Sequence, residues 1–268
     1  MPKIINVARA KKDLGQNFLV DSVVINKILN LINPKEKENF LEIGPGKGAL
    51  TEIISSKVKT LDGIEIDKDL IPKLRSLALL QNNLFIHELN ILKVNLKNFS
   101  HNVCKYRVIG NLPYNLSTQI MLWSFQNSNK IKDIHYMFQK EFGERLVSKP
   151  GKKSYGRISV LSQYMFEGLP LFEITSDSFR PKPNVGSVFL KLTPHEGRNI
   201  NSLESKKLQE VTNLLFSKRR KKISTSCKNI LGNHELIDLD IDPNDRPESL
   251  TVEDFLRITN HLIKKQNV

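Results

Sequence analysis

The chain has 268 residues, 39% hydrophobic and 26% charged, enough to bury a large core and a smaller second one. No apolar run is long enough to span a bilayer, the N-terminal residues 1–7 lack the apolar core of a secretory signal, and two cysteines, Cys104 and Cys227, are too few for a disulfide framework or a cysteine metal site, all of which fits a reducing cytoplasm. The net charge is +13; residues 196–268 hold 13 Lys/Arg against 11 Asp/Glu, so most of the excess lies before them, and local basic clusters along the chain (11–12, 149–153 with Arg157, 218–222) point to a polyanionic partner.

The chain opens irregularly over 1–20, with a glycine turn, amides and apolar residues in Leu14-Gly15-Gln16-Asn17-Phe18-Leu19-Val20. Asp21 suits the N-cap of a helix to residue 31, with Val24, Ile25, Ile28 and Leu29 at helical spacing until Asn33-Pro34 breaks it. Residues 40–43 form a strand running into Gly44-Pro45-Gly46-Lys47-Gly48, and a helix follows from Ala49. A second strand over 61–67 ends in carboxylates. A helix over 69–80 takes Pro72 in its first turn, and a third strand over 84–87 has Asn90 near its exit. The fourth strand, 106–109, leads into Gly110-Asn111-Leu112-Pro113-Tyr114-Asn115, followed by a helix over 118–125, a strand over 134–138 and a helix over 140–148. After a basic loop over 149–156 come a helix over 158–164 and strands near 169–174 and 187–192, separated by Phe179-Arg180-Pro181-Lys182-Pro183-Asn184-Val185, too proline-rich for regular structure. Beyond residue 197 the pattern turns helical, over 203–216, 221–231 and 252–265. The alternation predicts an α/β domain over 1–195, a mainly parallel sheet with helices on both faces, and a small all-helical domain over 196–268.

Loops at strand ends are where such sheets present their chemistry. The Gly44 turn lets a ligand approach backbone N–H groups and aims a helix N-terminus at it. Gly44-x-Gly46-x-x-Ala49 also satisfies the dinucleotide fingerprint, so a nicotinamide or flavin enzyme is a rival, and a tight turn with no ligand is a third reading. Glu65, 23 positions after Glu42, stands near the interval at which nucleotide-binding α/β units place an acid on ribose hydroxyls, and Asn90 offers an amide to an adenine amine. The Asn111 loop joins an amide that donates and accepts, a proline-stiffened backbone and the flat ring of Tyr114, a set able to hold a planar nitrogen base. Asn and Pro are equally ordinary turn residues, and a tyrosine after proline is often a lid on the core. The six histidines, at 87, 101, 135, 195, 234 and 261, have neither metal-ligand spacing nor a tie to a nucleophilic Ser or Cys, so neither a metal nor a catalytic triad is expected.

Residues 12–21 (KDLGQNFLVD), 40–51 (FLEIGPGKGALT), 63–70 (GIEIDKDL), 109–115 (IGNLPYN), 139–146 (QKEFGERL) and 179–189 (FRPKPNVGSVF) occur in the order seen in the KsgA-type small-subunit (16S) ribosomal RNA adenine N6,N6-dimethyltransferases, which the chain resembles over 11–265. Macrolide-resistance RNA methylases of the large subunit share the catalytic layout and are the alternative enzyme. A ribosome-assembly binding factor with secondary catalysis is the alternative of another class. The resemblance implies a Rossmann-like class I methyltransferase sheet with S-adenosylmethionine over Gly44, Gly46 and Gly48, Glu65 and Ile66 at its ribose, and Asn90, where the family commonly has Asp, near its adenine. Gln16, Asn17, Leu19 and Asn111 complete that site. It further implies that Asn111, Leu112 and Pro113 form the catalytic loop, with Tyr114 and Phe179 stacking on the extruded adenine. RNA contact is expected from Lys152, Lys153, Arg157, Arg180 and Lys182, and from Arg219, Arg220, Lys221 and Lys222 on a tail helix, where a solvated helix face is the alternative. The implied protein is a cytoplasmic monomer acting on small-subunit rRNA in a ribosomal particle during ribosome biogenesis, with no membrane association.

Overall fold

In a computed structural model, which describes residues 10–99 and 103–266, the apolar stretches expected as strands pair around the one at residues 39–43. Residues 1–9, His101 and the side chain of Lys12 lie outside the described residues, and with them the N-terminal segment read for a signal and one of the six histidines.

After β1 (Phe18–Leu19) comes α1 (Ser22–Ile32). The Asp21 carboxylate caps it by accepting from the N–H groups of Val23 and Val24 at 2.9 and 3.2 Å, and Asn33 ends it at φ 48°, a left-handed cap that asparagine tolerates. Next in order are β2 (Asn39–Ile43), α2 (Thr51–Ser55), β3 (Thr60–Glu65), α3 (Ile71–Ala78), β4 (Leu84–Glu88), β5 (Tyr106–Asn111), α4 (Ser117–Gln126) and β6 (Ile131–Gln139). They are followed by α5 (Lys140–Leu146), α6 (Arg157–Met165), β7 (Phe166–Ile174), β8 (Phe179–Arg180) and β9 (Ser187–Pro194). Among the described residues the main sheet runs β4-β3-β2-β5-β6-β9-β7. The strands β4 to β6 pair in parallel and β9 pairs antiparallel to β6, so the sheet expected to be mainly parallel, with helices on both faces, is mixed at this edge.

The chain runs outward from β2 through β3 and β4, then returns to place β5 on the other side of β2. At such a reversal the carboxyl ends of the two central strands diverge and leave a crevice, here between β2 and β5. Phe40, Val108, Ile134 and Met137 are completely buried in these strands, and Ile28, Ile32, Ile54 and Phe189 pack into the same core region. At the amino ends of the strands Arg107 forms a closed network: Nε donates to Asp133 at 2.9 Å, Nη1 to Glu38 at 2.7 Å and Nη2 to the Ile32 carbonyl at 2.8 Å. The crevice and this network therefore sit at opposite ends of β5.

Three expectations shift. The helix expected from Ala49 is the five-residue α2, which begins at Thr51 after a glycine turn in which Gly44, Gly46 and Gly48 hold φ at +64°, +61° and +85°. The proline-rich segment does contribute strand: Leu19 pairs with Phe179 and Phe18 with Arg180, antiparallel, before the prolines stop the ladder. Residues 218–222 form a turn rather than a helix. The helix α7 (Leu203–Ser217) closes at Lys218, and only α8 (Ile223–Ser226) follows, since the N–H groups of Ile223 and Ser224 bond to the carbonyls of Asp245 and Pro243. A short α9 (Asn233–Asp238), unexpected from sequence, precedes α10 (Val252–Gln266).

The chain divides into two compact units, one of residues up to Lys140 with Pro170–Leu192, the other of Glu141–Leu169 with residues from Thr193. The boundary expected at 195/196 lies near the last crossing, while residues 141–169 group with the C-terminal helices. In the second unit Phe216 stacks on Phe255 with ring centroids 5.6 Å apart, and Leu208, Leu215 and Ile258 are fully buried.

Candidate active site

The carboxyl ends of β2, β3 and β5, the exit of β4 and the segment 14–19 enclose a cavity that is open at its mouth. Gln16, Asn17, Leu19, Gly44, Gly46, Glu65, Ile66, Asn90 and Asn111 line it, with Leu112 and Pro113. Gly48 stands behind the wall. Its N–H closes the glycine turn on the Pro45 carbonyl at 3.0 Å, and a Cβ there would lie 3.6 Å from Leu74. Gly44 differs: a Cβ on it would meet nothing within 4 Å, so its backbone faces open space.

Glu65, expected to face a ribose, also organises the turn. One carboxylate oxygen accepts from Gly46 N–H at 3.0 Å and the other from the N–H groups of Ile66 and Asp67, both at 2.9 Å. Burial pushes its carboxyl up, against the pull of these three N–H groups. Glu42 is a wall residue that sequence reasoning missed. It is 3% exposed and accepts from the Thr51 hydroxyl at 2.7 Å; burial, followed by the nearby Glu65 charge, raises its pKa to about 7 despite that bond. The signal for it was present in β2, an acid in an otherwise apolar strand just before the glycine turn. Asn90 directs Oδ1 to the Leu92 N–H at 2.9 Å, capping a single turn of 3-10 helix over Ile91–Lys93, and its second lone pair remains able to accept from an amine.

At the end of β5, Asn111 Nδ2 donates to the Asn17 carbonyl at 2.7 Å. Because a carbonyl only accepts, that bond orients the whole amide: the nitrogen is spent on Asn17 and Oδ1 is the atom left to receive a donor. Leu112 is buried, and Pro113, at φ −63°, turns the chain into the Tyr114–Leu116 turn. The Tyr114 hydroxyl and Ser187 Oγ share a hydrogen bond of 2.7 Å, and burial raises the phenol above its usual range. Phe179 is 0% exposed and packs with Leu19, Ile28 and Phe189, so its ring has no face open to a base in this structure. Neither Tyr114 nor Phe179 lines the cavity.

Segment 11–17 crosses the loop closely. Gly15 holds φ +62°, which strains most other side chains, and a Cβ there would lie 2.7 Å from Asn115 Oδ1, which would have to shift. Gln16, expected over the cofactor, donates through Nε2 to Asp67 at 2.7 Å.

In the second unit the structure joins two basic clusters that the sequence left separate. Arg219 donates to the Lys153 carbonyl at 2.7 Å and to Glu248 at 2.8 Å, and Gly151 N–H bonds to the Glu248 carbonyl, so the loop of exposed Lys152 and Lys153 lies beside the 219–222 turn, and Arg157 is exposed at the start of α6. Lys222 bonds Asn244 at 2.8 Å, while Arg220 and Lys221 are exposed. In the first unit exposed Arg180 donates to the carbonyls of Asp177 and Phe179, and Lys182 pairs with Asp177 at 2.6 Å. Among the described residues no helix is long and apolar enough to cross a membrane, and no group of three His, Cys, Asp or Glu side chains is placed to hold a metal ion.

The family profile described as ribosomal RNA adenine dimethylase matches residues 7–264. The chain belongs to the ribosomal RNA adenine dimethylase family. This dimethylase-family chain is 41% identical over 260 residues to the ribosomal RNA small subunit methyltransferase A of Marinomonas sp. (strain MWYL1), covering 96% of this chain and 97% of that one. It is 40% identical over 256 residues to the protein of the same name from Wigglesworthia glossinidia brevipalpis, covering 95% and 98%. Among solved structures, a dimethyladenosine transferase from Plasmodium falciparum matches with a TM-score of 0.81 at 24% identity, covering 93% of this chain and 98% of that one. The 23S rRNA methyltransferase ErmE matches with a TM-score of 0.74 at 20% identity, covering 92% and 100%. At these identities the two structures establish the dimethylase fold.

Proposed function

We infer that this protein transfers methyl groups from S-adenosylmethionine to N6 of adenines in small-subunit ribosomal RNA, twice on each nitrogen. Family membership over nearly the whole chain supports the reaction, and the small-subunit name of the full-length relatives supports the substrate. The likeness to the large-subunit enzyme ErmE extends to the fold.

The cavity suits the donor. Gly44 leaves its backbone open, Glu42 and Glu65 bring carboxylates to a wall otherwise formed by apolar Ile64, Ile66 and Leu89, and Asn90 offers an amide at the exit of β4. Glu65 with Ile66 would hold the ribose, Asn90 the adenine, and the turn at Gly44 and Gly46 the amino-acid end. When bound, S-adenosylmethionine supplies an electrophilic methyl group on a positively charged sulfur.

The observation that carries the reading is the oriented Asn111 amide. The N6 lone pair of adenine is delocalised into the ring and is a poor nucleophile. Asn111 Oδ1 accepts one N6 hydrogen and the Leu112 carbonyl the other, which turns the lone pair out of conjugation and toward the methyl donor. The new N–C bond would form from that lone pair as the methyl–sulfur bond breaks and its electron pair stays on sulfur, leaving a neutral thioether, while the surplus proton leaves to water. After the first transfer one hydrogen remains, so a single acceptor suffices for the second. Tyr114, held by Ser187, supplies the ring beside the loop for a base taken from its stack. Phe179 acts from within the core, holding β8 against β1. The helical unit, with Lys152, Lys153, Arg157, Arg220 and Lys221 exposed, adds salt-dependent affinity for the RNA backbone.

Incubation with methyl-labelled donor and ribosomal particles from cells lacking this modification tests the assignment. N6,N6-dimethyladenosine is expected in small-subunit rRNA; label confined to large-subunit rRNA, or absent from both, would overturn it.

A further inference from the structure

Asn111 is aimed by a backbone carbonyl, so whatever holds that carbonyl in place also holds the catalytic amide. Asn17 belongs to the segment 11–17, whose internal bonds, such as Leu14 N–H to the Lys11 carbonyl at 3.2 Å, shape it without fixing it to the sheet. The β1 pairing begins only at Phe18. Upstream, the fastening is Asp67, two residues beyond the end of β3. Its carboxylate, almost fully buried, accepts from Lys11 Nζ at 2.5 Å, from Gln16 Nε2 at 2.7 Å and from its neighbour Asp69 N–H at 3.1 Å. Lys11 also pairs with Asp69 at 2.7 Å, and its backbone N–H donates to Gln16 Oε1 at 2.8 Å, so the three side chains close a ring around the carboxylate. Gln16, gripped by that ring, is the residue before Asn17.

We propose that Asp67 is a positioning residue for methyl transfer: by clasping Lys11 and Gln16 it holds the Asn17 carbonyl against Asn111 Nδ2 and so keeps Asn111 Oδ1 turned to the target nitrogen. The inference rests on the reading of Asn111 as the catalytic amide. The electrostatics agree with a formed clasp. Burial works to raise the Asp67 carboxyl, yet the bonds from Lys11, Gln16 and Asp69 N–H bring it below the usual carboxylate range, and the bonds to Asp67 and Asp69 raise Lys11. Gln16, which also lines the cavity, thus ties the segment to an aspartate on the far side of the glycine turn.

The test compares wild type, Lys11→Ala/Gln16→Ala and Lys11→Arg, because Asp67→Ala could fail to fold for want of its backbone bond. Two quantities are measured. The first is the Asn111 side-chain amide resonance, assigned by its loss in Asn111→Ala, in the chain without donor or RNA. The second is kcat at saturating donor and RNA. In Lys11→Ala/Gln16→Ala the resonance is expected to move toward that of a solvated asparagine and kcat to fall about tenfold or more, with Lys11→Arg restoring both to within about twofold of wild type. An unmoved resonance overturns the proposal, and so does a moved resonance with kcat within about twofold of wild type. If the wild-type chain methylates no rRNA adenine, the reading of the loop as catalytic falls, while the resonance alone still decides whether the clasp holds the amide.

Discussion

Glu42 presents the sharpest physical tension in the cavity, a carboxyl buried beside a second carboxyl with one hydroxyl to satisfy it. Its pKa of about 7 lies above the ordinary 4.5, so the folded chain keeps a proton that the unfolded chain releases. Stability is therefore intact below the unfolded value and declines as pH rises from 4.5 to about 7, with no further loss from this group above that. The shift corresponds to roughly 3 kcal/mol. Glu42→Gln is expected to remove the decline, so that urea unfolding shows the variant matching wild type near about pH 4.5 and exceeding it by a few kcal/mol above about pH 7.5. An unchanged wild-type slope in the variant would assign the pH dependence elsewhere. The residue scale is also where sequence reading was most uneven. The identities of Asn111, Glu65 and the glycines were legible because they stand at or just past the carboxyl ends of apolar strands, which local pattern marks. The engagement of Gln16 by Asp67 was not, since it joins residues 51 positions apart through an ion-pair ring that no local pattern encodes.

At the scale of elements the alternation of strand and helix was readable, and so was the α1 cap, because periodicity and Asp21 are local signals. What escaped was set by distant partners. The two-residue β1 and β8 exist only because they pair with each other, and the turn at 218–222 replaces a helix because the carbonyls of Asp245 and Pro243 take the next N–H groups. The α9 signal was local and overlooked: Glu235 reaches back to the Gly232 N–H at 2.8 Å. The Arg107 network fastens the strand ends opposite the cavity. Arg107→Ala leaves Asp133 buried and unpaired, and a loss of about 3–5 kcal/mol is expected in equilibrium unfolding, with donor affinity unchanged at a temperature where the variant is folded. A loss below about 1 kcal/mol would mean that the network is replaceable by water.

For the whole molecule, the net charge of +13 is spread over both units, and the helical unit presents exposed basic side chains at Lys152, Lys153, Arg220 and Lys221. On the proposed function these lysines contact phosphates without reading bases, so Lys152→Ala/Lys153→Ala is expected to weaken binding to small-subunit particles and to lower the slope of log affinity against log salt by about 1 to 2, leaving kcat at saturating RNA near wild type. An unchanged slope would place the RNA on another face. Charge and composition made a polyanionic partner legible; the grouping of residues 141–169 with the C-terminal helices was not, because it depends on contacts between segments far apart in the chain.

The account turns on the orientation of one amide, and single-turnover methylation of small-subunit particles by wild type and Asn111→Ala, alongside calorimetric titration of the donor, measures it most directly. The account expects the Asn111→Ala rate to fall by about 10²–10³ while donor affinity stays within about threefold of wild type. A variant that methylates within about twofold of the wild-type rate would contradict it.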